Sequence, residues 1–430
     1  MNLVMIDCHD LGQHLACYGV ESVSSDHLDA LAADGVRFSN SFCTSPQCSP
    51  SRAALYTGRY PHSNGMFGLA HFPFSWHLHD DETYLAEYLK DAGYETAHVG
   101  VQHVTEFNAE AVKALGFDHV LAGNLAPEVA NSAIGFLERN HEHPFFLNIG
   151  FFEPHRDHTG GYRLTPPDSA KGVDLPPYVP NTDQSRLEFS ELQGMIKSMD
   201  EGVGRILEAL DRLNLTGDTW VIFTTDHGLA MPRAKCTMYD PGLKTALIMR
   251  APQLGLTGGH VVEQLISHVD MTPTILEALG IEVPKKLEGK SYLGLLKGET
   301  DQHRDSLYFE KTYHTDYEPQ RAIRNARYKL IWNAEVDITN VPADIMHSAI
   351  YPQMIDILTQ SRPAFELYDL EADPNEMMNL ADDAAYLAIK DDLRQQLIAW
   401  MRDTADALLD GPVASPYYER AMHLLRGENA

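Results

Sequence analysis

Short apolar runs alternate with amphipathic stretches over the first 304 residues of the chain. The apolar runs predict buried strands, and the amphipathic stretches predict helices. Strands are predicted at 3–6, 95–99, 145–149, 220–224 and 246–249. Helices are predicted at 25–33, 84–91, 126–139, 192–213 and 271–279. This alternation is typical of an α/β fold, in which helices sandwich a mixed, mostly parallel sheet.

The pattern changes near residue 305, where short strands follow one another without intervening helices. Strands are predicted at 306–309, 320–324, 328–332 and 366–370, and a helical stretch at 383–409. We therefore predict two domains, a catalytic α/β domain over 1–304 and a smaller C-terminal α+β subdomain with an antiparallel sheet over 305–430. The stretch 334–363 is predicted as an unusually long loop, which suggests a substrate-facing insertion.

The charge balance limits the partners that this chain can bind. Its 430 residues include 33 basic and 61 acidic side chains, a formal net charge of −28. Nucleic-acid binding depends on Lys and Arg neutralising phosphates, so this composition argues against it. A sulfated polymer would also be repelled at long range. A small or chain-end anionic substrate in a locally basic pocket fits better.

Cysteine usage and the start of the chain bear on its compartment. Five cysteines, an odd number at irregular spacing, argue against a disulfide framework and suit a reducing compartment. Met1 leads directly into an apolar run without a basic n-region, so no signal peptide is predicted. No apolar run is long enough to span a membrane. We expect a cytoplasmic protein, or a secreted or periplasmic one if a leader has been removed.

The most specific motif is Cys-Ser-Pro-Ser-Arg at 48–52, followed by Thr-Gly-Arg at 57–59. It resembles the signature of the type I sulfatases, and the flanking stretches 26–38 and 62–66 resemble that family as well. The resemblance implies an alkaline-phosphatase-like fold. It also implies that the cysteine is oxidised to Cα-formylglycine by a maturase, which would be a partner of this protein.

The resemblance assigns the nucleophile to Cys48. The hydrate of its aldehyde carries two hydroxyls, one of which attacks sulfur while the other later expels sulfate. Arg52 is expected to neutralise charge on the hydrate and to fix its orientation. The modified Cys48 is also expected to contact a divalent metal.

The metal ligands are expected after two predicted strands. Asp226 and His227 match the family's metal-binding Asp-Asn or Asp-His pair, and Asp10 matches the second residue of its usual Asp-Asp pair. His9 stands where the first of those acids is usual, and Asp7 lies two residues before it. Either could complete the site, and we favour Asp7 because carboxylates suit a hard cation. Carboxylates indicate Ca²⁺, whereas an imidazole would also permit Mn²⁺ or Zn²⁺.

Three further residues match basic positions of the family. His103 is expected to take a proton during sulfate release, although Val101 replaces the lysine that usually precedes it by two positions. His155 is expected to contact sulfate and protonate the leaving group, and Lys235 to hold the sulfate. Arg156 is a candidate for holding sulfate or a carboxylate, and a surface role suits it equally.

Within the family, the stretches 64–71 and 152–156 resemble the N-sulfoglucosamine sulfohydrolase branch. The leading hypothesis is therefore hydrolysis of a sulfate ester or N-sulfate on a small or chain-end sugar. The alternative within the superfamily is a phosphonate or phosphate ester hydrolase. A non-catalytic binding protein that keeps the fold is a third possibility, and it predicts an unmodified Cys48 without metal.

Overall fold

The computed structural model describes residues 1–336 and 340–427, which include fourteen strands in three sheets. The strands are β1 (Asn2–Cys8), β2 (Val36–Phe38), β3 (Ser41–Phe42), β4 (Glu95–Gly100), β5 (His119–Leu121), β6 (Phe145–Gly150), β7 (Thr219–Thr225), β8 (Leu247–Arg250), β9 (His260–Val262), β10 (Ile266–Ser267), β11 (Leu307–Tyr313), β12 (Tyr317–Arg324), β13 (Tyr328–Asn333) and β14 (Phe365–Asp369). All nine predicted strands are present within these bounds or within one residue of them.

The large sheet has the order β5-β4-β6-β1-β7-β8-β2-β9. In this order, the first five strands, from β5 across to β7, pair in parallel with one another. Strand β8 alone runs antiparallel to both of its neighbours. The predicted mixed, mostly parallel α/β sheet is thus confirmed. Every residue of the central strand β1 is buried, as is typical of a strand covered on both faces.

Fourteen α-helices surround the sheets in the described residues. They are α1 (Asp26–Asp34), α2 (Cys48–Thr57), α3 (Pro61–Asn64), α4 (Leu85–Asp91), α5 (Ala109–Lys113), α6 (Ala126–Leu137), α7 (Asp183–Arg212), α8 (Asp240–Leu243), α9 (Met271–Ala278), α10 (Leu293–Leu296), α11 (Ala343–Met346), α12 (Tyr351–Leu358), α13 (Leu387–Asp403) and α14 (Pro416–Leu425). Within the described residues, no helix has the length and apolar content that crossing a membrane requires.

The alternating side chains of β1 divide the core into two layers. Val4 and Ile6 pack with apolar side chains of α1, α6 and α7 on one face. Leu3 and Met5 pack with those of α2, α4 and α9 on the other. Helix α2, which begins with the signature cysteine, is therefore fixed against the centre of the sheet.

The C-terminal part forms the predicted antiparallel sheet, with strand order β11-β12-β13-β14. Helix α13 packs against β12 and β13, and Leu393 and Leu397 on α13 share an apolar cluster with Ile323 and Leu330. The boundary between residues 304 and 305 stays a prediction, and residues 428–430 of the predicted subdomain lie outside the described residues.

Several helical regions differ from the predictions, and short helices such as α2, α3, α5, α8 and α10 have no predicted counterpart. The stretch 334–363 contains α11 and α12 rather than an uninterrupted loop, and its residues 337–339 lie outside the described part. Helix α7 begins nine residues before the predicted 192, at Asp183, where the Thr182 side chain accepts a hydrogen bond from the backbone of Ser185. Helix α14 was not predicted, and few of its apolar side chains are covered.

A buried ion pair connects the small sheet to the chain beyond α13, and it yields a stability prediction. The Arg321 guanidinium is fully buried and donates to both carboxylate oxygens of Asp406, at 2.5 and 2.9 Å. We expect Asp406→Ala to lower the free energy of unfolding by about 3 kcal/mol, because the buried arginine would lose both of these hydrogen bonds and keep only Glu310, 3.7 Å away, as a carboxylate partner. Urea denaturation measures this loss.

The control is Glu138→Ala, which removes an exposed ion pair with Arg212. Such exposed pairs contribute at most about 1 kcal/mol. Equal losses of stability in the two variants would contradict the structural role given to Asp406.

Candidate active site

Polar residues that follow four strands of the large sheet meet at one edge of it. Because β1, β4, β6 and β7 run parallel, their carboxyl ends lie together, where ligands of such sheets bind. The residues that follow them are His9 and Asp10 after β1, His103 after β4, His155 after β6, and Asp226 and His227 after β7. The start of α2 brings Cys48 to the same edge.

Cys48 is the first residue of α2 and is buried. Pro50 lies in the first turn, where a missing N–H removes no helical hydrogen bond. The Cys48 Sγ lies 3.3 Å from Nε2 of His227. Burial raises the pKa of the Cys48 thiol well above its ordinary value. Burial therefore favours the uncharged thiol at this position.

Cys48, Asp10, Asp226 and His227 form a compact group of potential metal ligands. One ligand atom from each lies within 4.8 Å of all the others, and all four residues are buried. His227 Nε2 is 3.2 Å from Asp10 Oδ1 and 3.7 Å from Asp226 Oδ1. Although burial raises the pKa of Asp226, the charges of His227 and Arg52 hold it well below its ordinary value. The group therefore offers carboxylates in the ionised form that binds cations.

The structure gives Asp7 and His9 different surroundings. Asp7 is occupied by other protein groups: Arg52 and Tyr56 bind its two oxygens, and Asn148 Nδ2 donates to Oδ2 at 3.1 Å. His9 Nδ1 lies 3.1 Å from Asp226 Oδ2, and within the described residues its buried Nε2 has no hydrogen-bond partner. A second group of potential ligands contains His9 together with Asp10, Cys48 and His155. Asp7 belongs to neither group.

Arg52 joins the nucleophile helix to the ends of β1 and β7. Its guanidinium is completely buried and binds Asp7, Asp226 Oδ2 at 3.2 Å and the Cys8 carbonyl at 3.0 Å. Cys48, Arg52 and Tyr56 are spaced by four residues, so they share one face of α2. Burial alone would lower the pKa of Arg52, but the charges of Asp7 and Asp226 raise it, and the side chain stays cationic.

His103 forms a hydrogen bond with a second histidine. Its Nε2 lies 2.9 Å from Nδ1 of His71, and its ring centroid is 5.8 Å from that of His9. Burial lowers the pKa of His103 well below its ordinary value, which favours the neutral imidazole. Both His103 and Asp10 adopt left-handed backbone conformations, with φ of 54° and 51°. Such conformations are uncommon outside glycine and are enriched at functional sites.

Lys235 lies between two carboxylates. Its Nζ is 3.1 and 3.2 Å from the two oxygens of Asp10 and 2.7 Å from Asp344 Oδ2. His155 lies on the other side of Asp10, with Nε2 3.7 Å from Oδ2, while its Nδ1 lies 2.7 Å from the Arg156 carbonyl. Burial would lower the pKa of Lys235, but the charges of Asp10 and Asp344 raise it well above its ordinary value.

Arg156 points away from this group. It binds Glu188 at 2.6 Å, the Ala230 carbonyl and the Gly160 carbonyl, so the structure gives it a packing role. Asp344, by contrast, reaches the site from α11, inside the stretch that was predicted as a loop. No motif in the sequence pointed to Asp344, whereas Tyr56 could have been found from its spacing after Arg52.

A cavity of about 530 Å³ adjoins the group, a size typical of small-molecule sites. Its lining includes His9, His103 and His155 of the site, and Phe107, Asn108, Ala109 and Val112. Val101, at the position where the family usually has lysine, lines its wall.

Comparison with known proteins identifies the family. The sulfatase family model matches residues 2–281, and a model described as N-sulphoglucosamine sulphohydrolase, C-terminal, matches residues 227–342. The chain belongs to the sulfatase family, whose members are sulfuric ester hydrolases. The N-sulphoglucosamine sulphohydrolase of Homo sapiens is 28% identical, covering 96% of this chain and 92% of that protein. An ulvan-active sulfatase of Formosa agariphila is 29% identical, covering 95% and 80%.

Solved structures share the fold. The putative sulfatase yidJ from Bacteroides fragilis has a TM-score of 0.77 at 23% identity, covering 96% of this chain and 98% of that one. A protein solved with its substrate D-glucosamine-2-N,6-O-disulfate has a TM-score of 0.72 at 19% identity, covering 94% and 98%. These likenesses confirm the α/β fold with its C-terminal antiparallel sheet.

The different surroundings of His9 and Asp7 give a prediction about metal binding. We expect His9→Ala to weaken the affinity for a divalent metal, because a buried nitrogen that faces the carboxylates is lost. Asp7→Asn should retain the metal, since Asp7 binds Arg52 and Tyr56 instead. Metal titration of purified variants by calorimetry measures both affinities.

Glu153→Gln is the control for removing a buried carboxylate, because Glu153 binds the backbone of Ala126 outside the group. It should bind metal as the parent protein does. Loss of the metal in Asp7→Asn, with full affinity in His9→Ala, would reverse this assignment.

Proposed function

We propose that this protein hydrolyses a sulfate ester or an N-sulfate on a small or chain-end sugar. The observation that carries the proposal is the buried group of Asp10, Asp226 and His227 around the Cys48 Sγ, at the start of α2. The membership in the sulfatase family supports it, as do relatives named as an N-sulphoglucosamine sulphohydrolase and an ulvan-active sulfatase. The phosphonate or phosphate ester alternative receives no support from these relatives.

We propose that a maturase converts Cys48 to formylglycine. The hydrate of the aldehyde supplies two hydroxyls on one carbon, one to attack sulfur and one to expel sulfate afterwards.

We propose that Asp10, Asp226 and His227 hold a divalent metal, with His9 in place of Asp7. The unpartnered Nε2 of His9 and the ionised acids fit a cation. The bound metal would act as a Lewis acid on a sulfate oxygen. Ca²⁺ is typical of the family, but two imidazoles suit Mn²⁺ or Zn²⁺ better than Ca²⁺. Here we therefore place Mn²⁺ and Zn²⁺ ahead of the predicted Ca²⁺.

Arg52 and Lys235 would hold the negative charge of the sulfate group. Arg52 is fixed by Asp7 and Asp226, so its position beside residue 48 costs no reorganisation during the reaction. Lys235 is held by Asp10 and Asp344 on the opposite side. The start of α2 adds unpaired backbone N–H groups, which favour an anion.

Two histidines would move protons. His155 Nε2 faces the site, while Nδ1 lies within hydrogen-bond distance of a backbone carbonyl, so the ring can be a proton donor to the leaving group. His103 is favoured in its neutral form and can accept the proton of the second hydroxyl as sulfate leaves. Its bond with His71 fixes the orientation of the ring.

The nucleophile assignment predicts a difference between two buried cysteines. We expect Cys48→Ala to abolish sulfate release, because no aldehyde can form at that position. Cys43→Ala removes a similarly buried Sγ, which lies 3.8 Å from the Gly242 carbonyl and belongs to neither group of potential metal ligands, and it should keep activity. Release of inorganic sulfate from 4-nitrophenyl sulfate and N-sulfoglucosamine measures both. Activity that survives in Cys48→Ala would overturn the mechanism.

The role given to His155 predicts a dependence on the leaving group. A sugar alkoxide leaves poorly without a proton, whereas 4-nitrophenolate leaves readily. We expect His155→Ala to lower kcat for a sugar sulfate by about 100-fold or more, the usual scale of general acid catalysis. The loss with 4-nitrophenyl sulfate should be much smaller. Equal losses for both substrates would show that His155 acts in binding and not as the acid.

A further inference from the structure

The cavity beside Cys48 contains no ionic side chain. Its lining within the described residues consists of histidines, amides, glycine and apolar groups, without aspartate, glutamate, lysine or arginine. This composition stands out in a chain whose residues are 22% charged. Burial also lowers the pKa values of His71 and His98 in its wall, which favours their neutral forms. Apart from His155, the proposed proton donor to the leaving group, the lining therefore offers no cationic side chain to a further charged group on the substrate.

Three flat rings form one wall of the cavity. The ring centroids of His71 and His103 are 5.1 Å apart, and those of His71 and Phe107 are 5.6 Å apart, both at interplanar angles of 28°. Phe107 is 61% exposed, so most of its ring is available to a ligand at the rim. Phe152 lies beyond His9, at a centroid distance of 6.3 Å from it. Such a wall suits the apolar face of a ring.

The two cationic side chains beside the proposed metal ligands are already paired. Arg52 binds Asp7 and Asp226, and Lys235 binds Asp10 and Asp344. These two cations can face one sulfate group, but neither lines the cavity. A second sulfate or a carboxylate on the substrate would therefore be desolvated without compensation, which costs free energy.

We infer that this cavity binds the leaving group and selects an uncharged ring, that is, a monosulfated sugar without a carboxylate or a second sulfate on that ring. The inference rests on the proposed sulfatase function. The sulfate group would lie at residue 48, and the sugar ring would stack on the Phe107 wall. A neutral ring loses little hydration when it enters the cavity. A ring with a second charged group loses much more and meets too few counter-ions to replace it, so the neutral ring is selected.

The test compares paired substrates that differ by one charged group. N-sulfoglucosamine is paired with its 6-sulfate, and 4-nitrophenyl sulfate with its ring-carboxylated derivative. We expect kcat/KM to be lower for the charged member of each pair by about tenfold or more, the effect of one buried group left unpaired. Phe107→Ala should raise KM for the sugar more than it lowers kcat.

A lysine placed in the cavity sharpens the test. Asn124 lines the cavity from an exposed position, so Asn124→Lys introduces a cation at the wall. We expect it to shift the ratio of kcat/KM values toward the charged member of each pair. Asn140→Lys adds the same charge to an exposed residue outside the cavity, and it should leave that ratio unchanged.

The outcomes separate the two proposals. Equal kcat/KM values within the pairs would overturn the inference and leave the sulfatase function intact. An equal shift from Asn124→Lys and Asn140→Lys would also overturn it, because the effect would then come from net charge. No sulfate release from any of the four substrates by the matured enzyme would instead overturn the proposed function.

Discussion

The buried guanidinium of Arg52 is the constraint on which the site depends. It lies one turn after Cys48 and binds carboxylates that follow or end two central strands, Asp7 on β1 and Asp226 beyond β7. A buried cation of this kind is tolerable only when it is paired and hydrogen-bonded, and here the pairs also set the distance between helix and sheet. The same bonds turn Asp226 toward His227 and Asp10. One side chain thus fixes the nucleophile position relative to the proposed metal ligands.

The charges around residue 48 and the net charge of the whole chain act in the same direction. Four carboxylates, those of Asp7, Asp10, Asp226 and Asp344, surround only two cationic side chains. A divalent cation would balance this group, and the pairing leaves little positive charge for more than one anionic group on a substrate. The net charge of −28 acts in the same direction, because it repels polyanions at a distance. The long-range field and the local site therefore favour the same small substrates.

Sequence patterns predicted the five adjacent strands β4, β6, β1, β7 and β8 of the large sheet, because these are apolar and separated by clear helical stretches. They missed its short outer strands β2, β5 and β9, whose two or three paired residues carry too little pattern. The site was predictable where a motif fixed the spacing, as for Cys48 and Arg52. It was not predictable where a choice depended on three-dimensional partners. Asp7 and His9 stand two residues apart, and only the positions of Tyr56 and Asn148 show that Asp7 is occupied. Asp344 comes from a short helix in a stretch without a clear pattern, so only the fold brings it to Lys235.

The central claim is that residue 48 works as an aldehyde inside this charge network. The most direct test is the mass of the peptide that carries residue 48, measured beside sulfate release in preparations made with and without a formylglycine-generating maturase. We expect the aldehyde form, lighter by the difference between CH₂SH and CHO, to appear with the maturase and turnover to rise in proportion to it. Full turnover in protein whose Cys48 is an unmodified thiol would contradict the account.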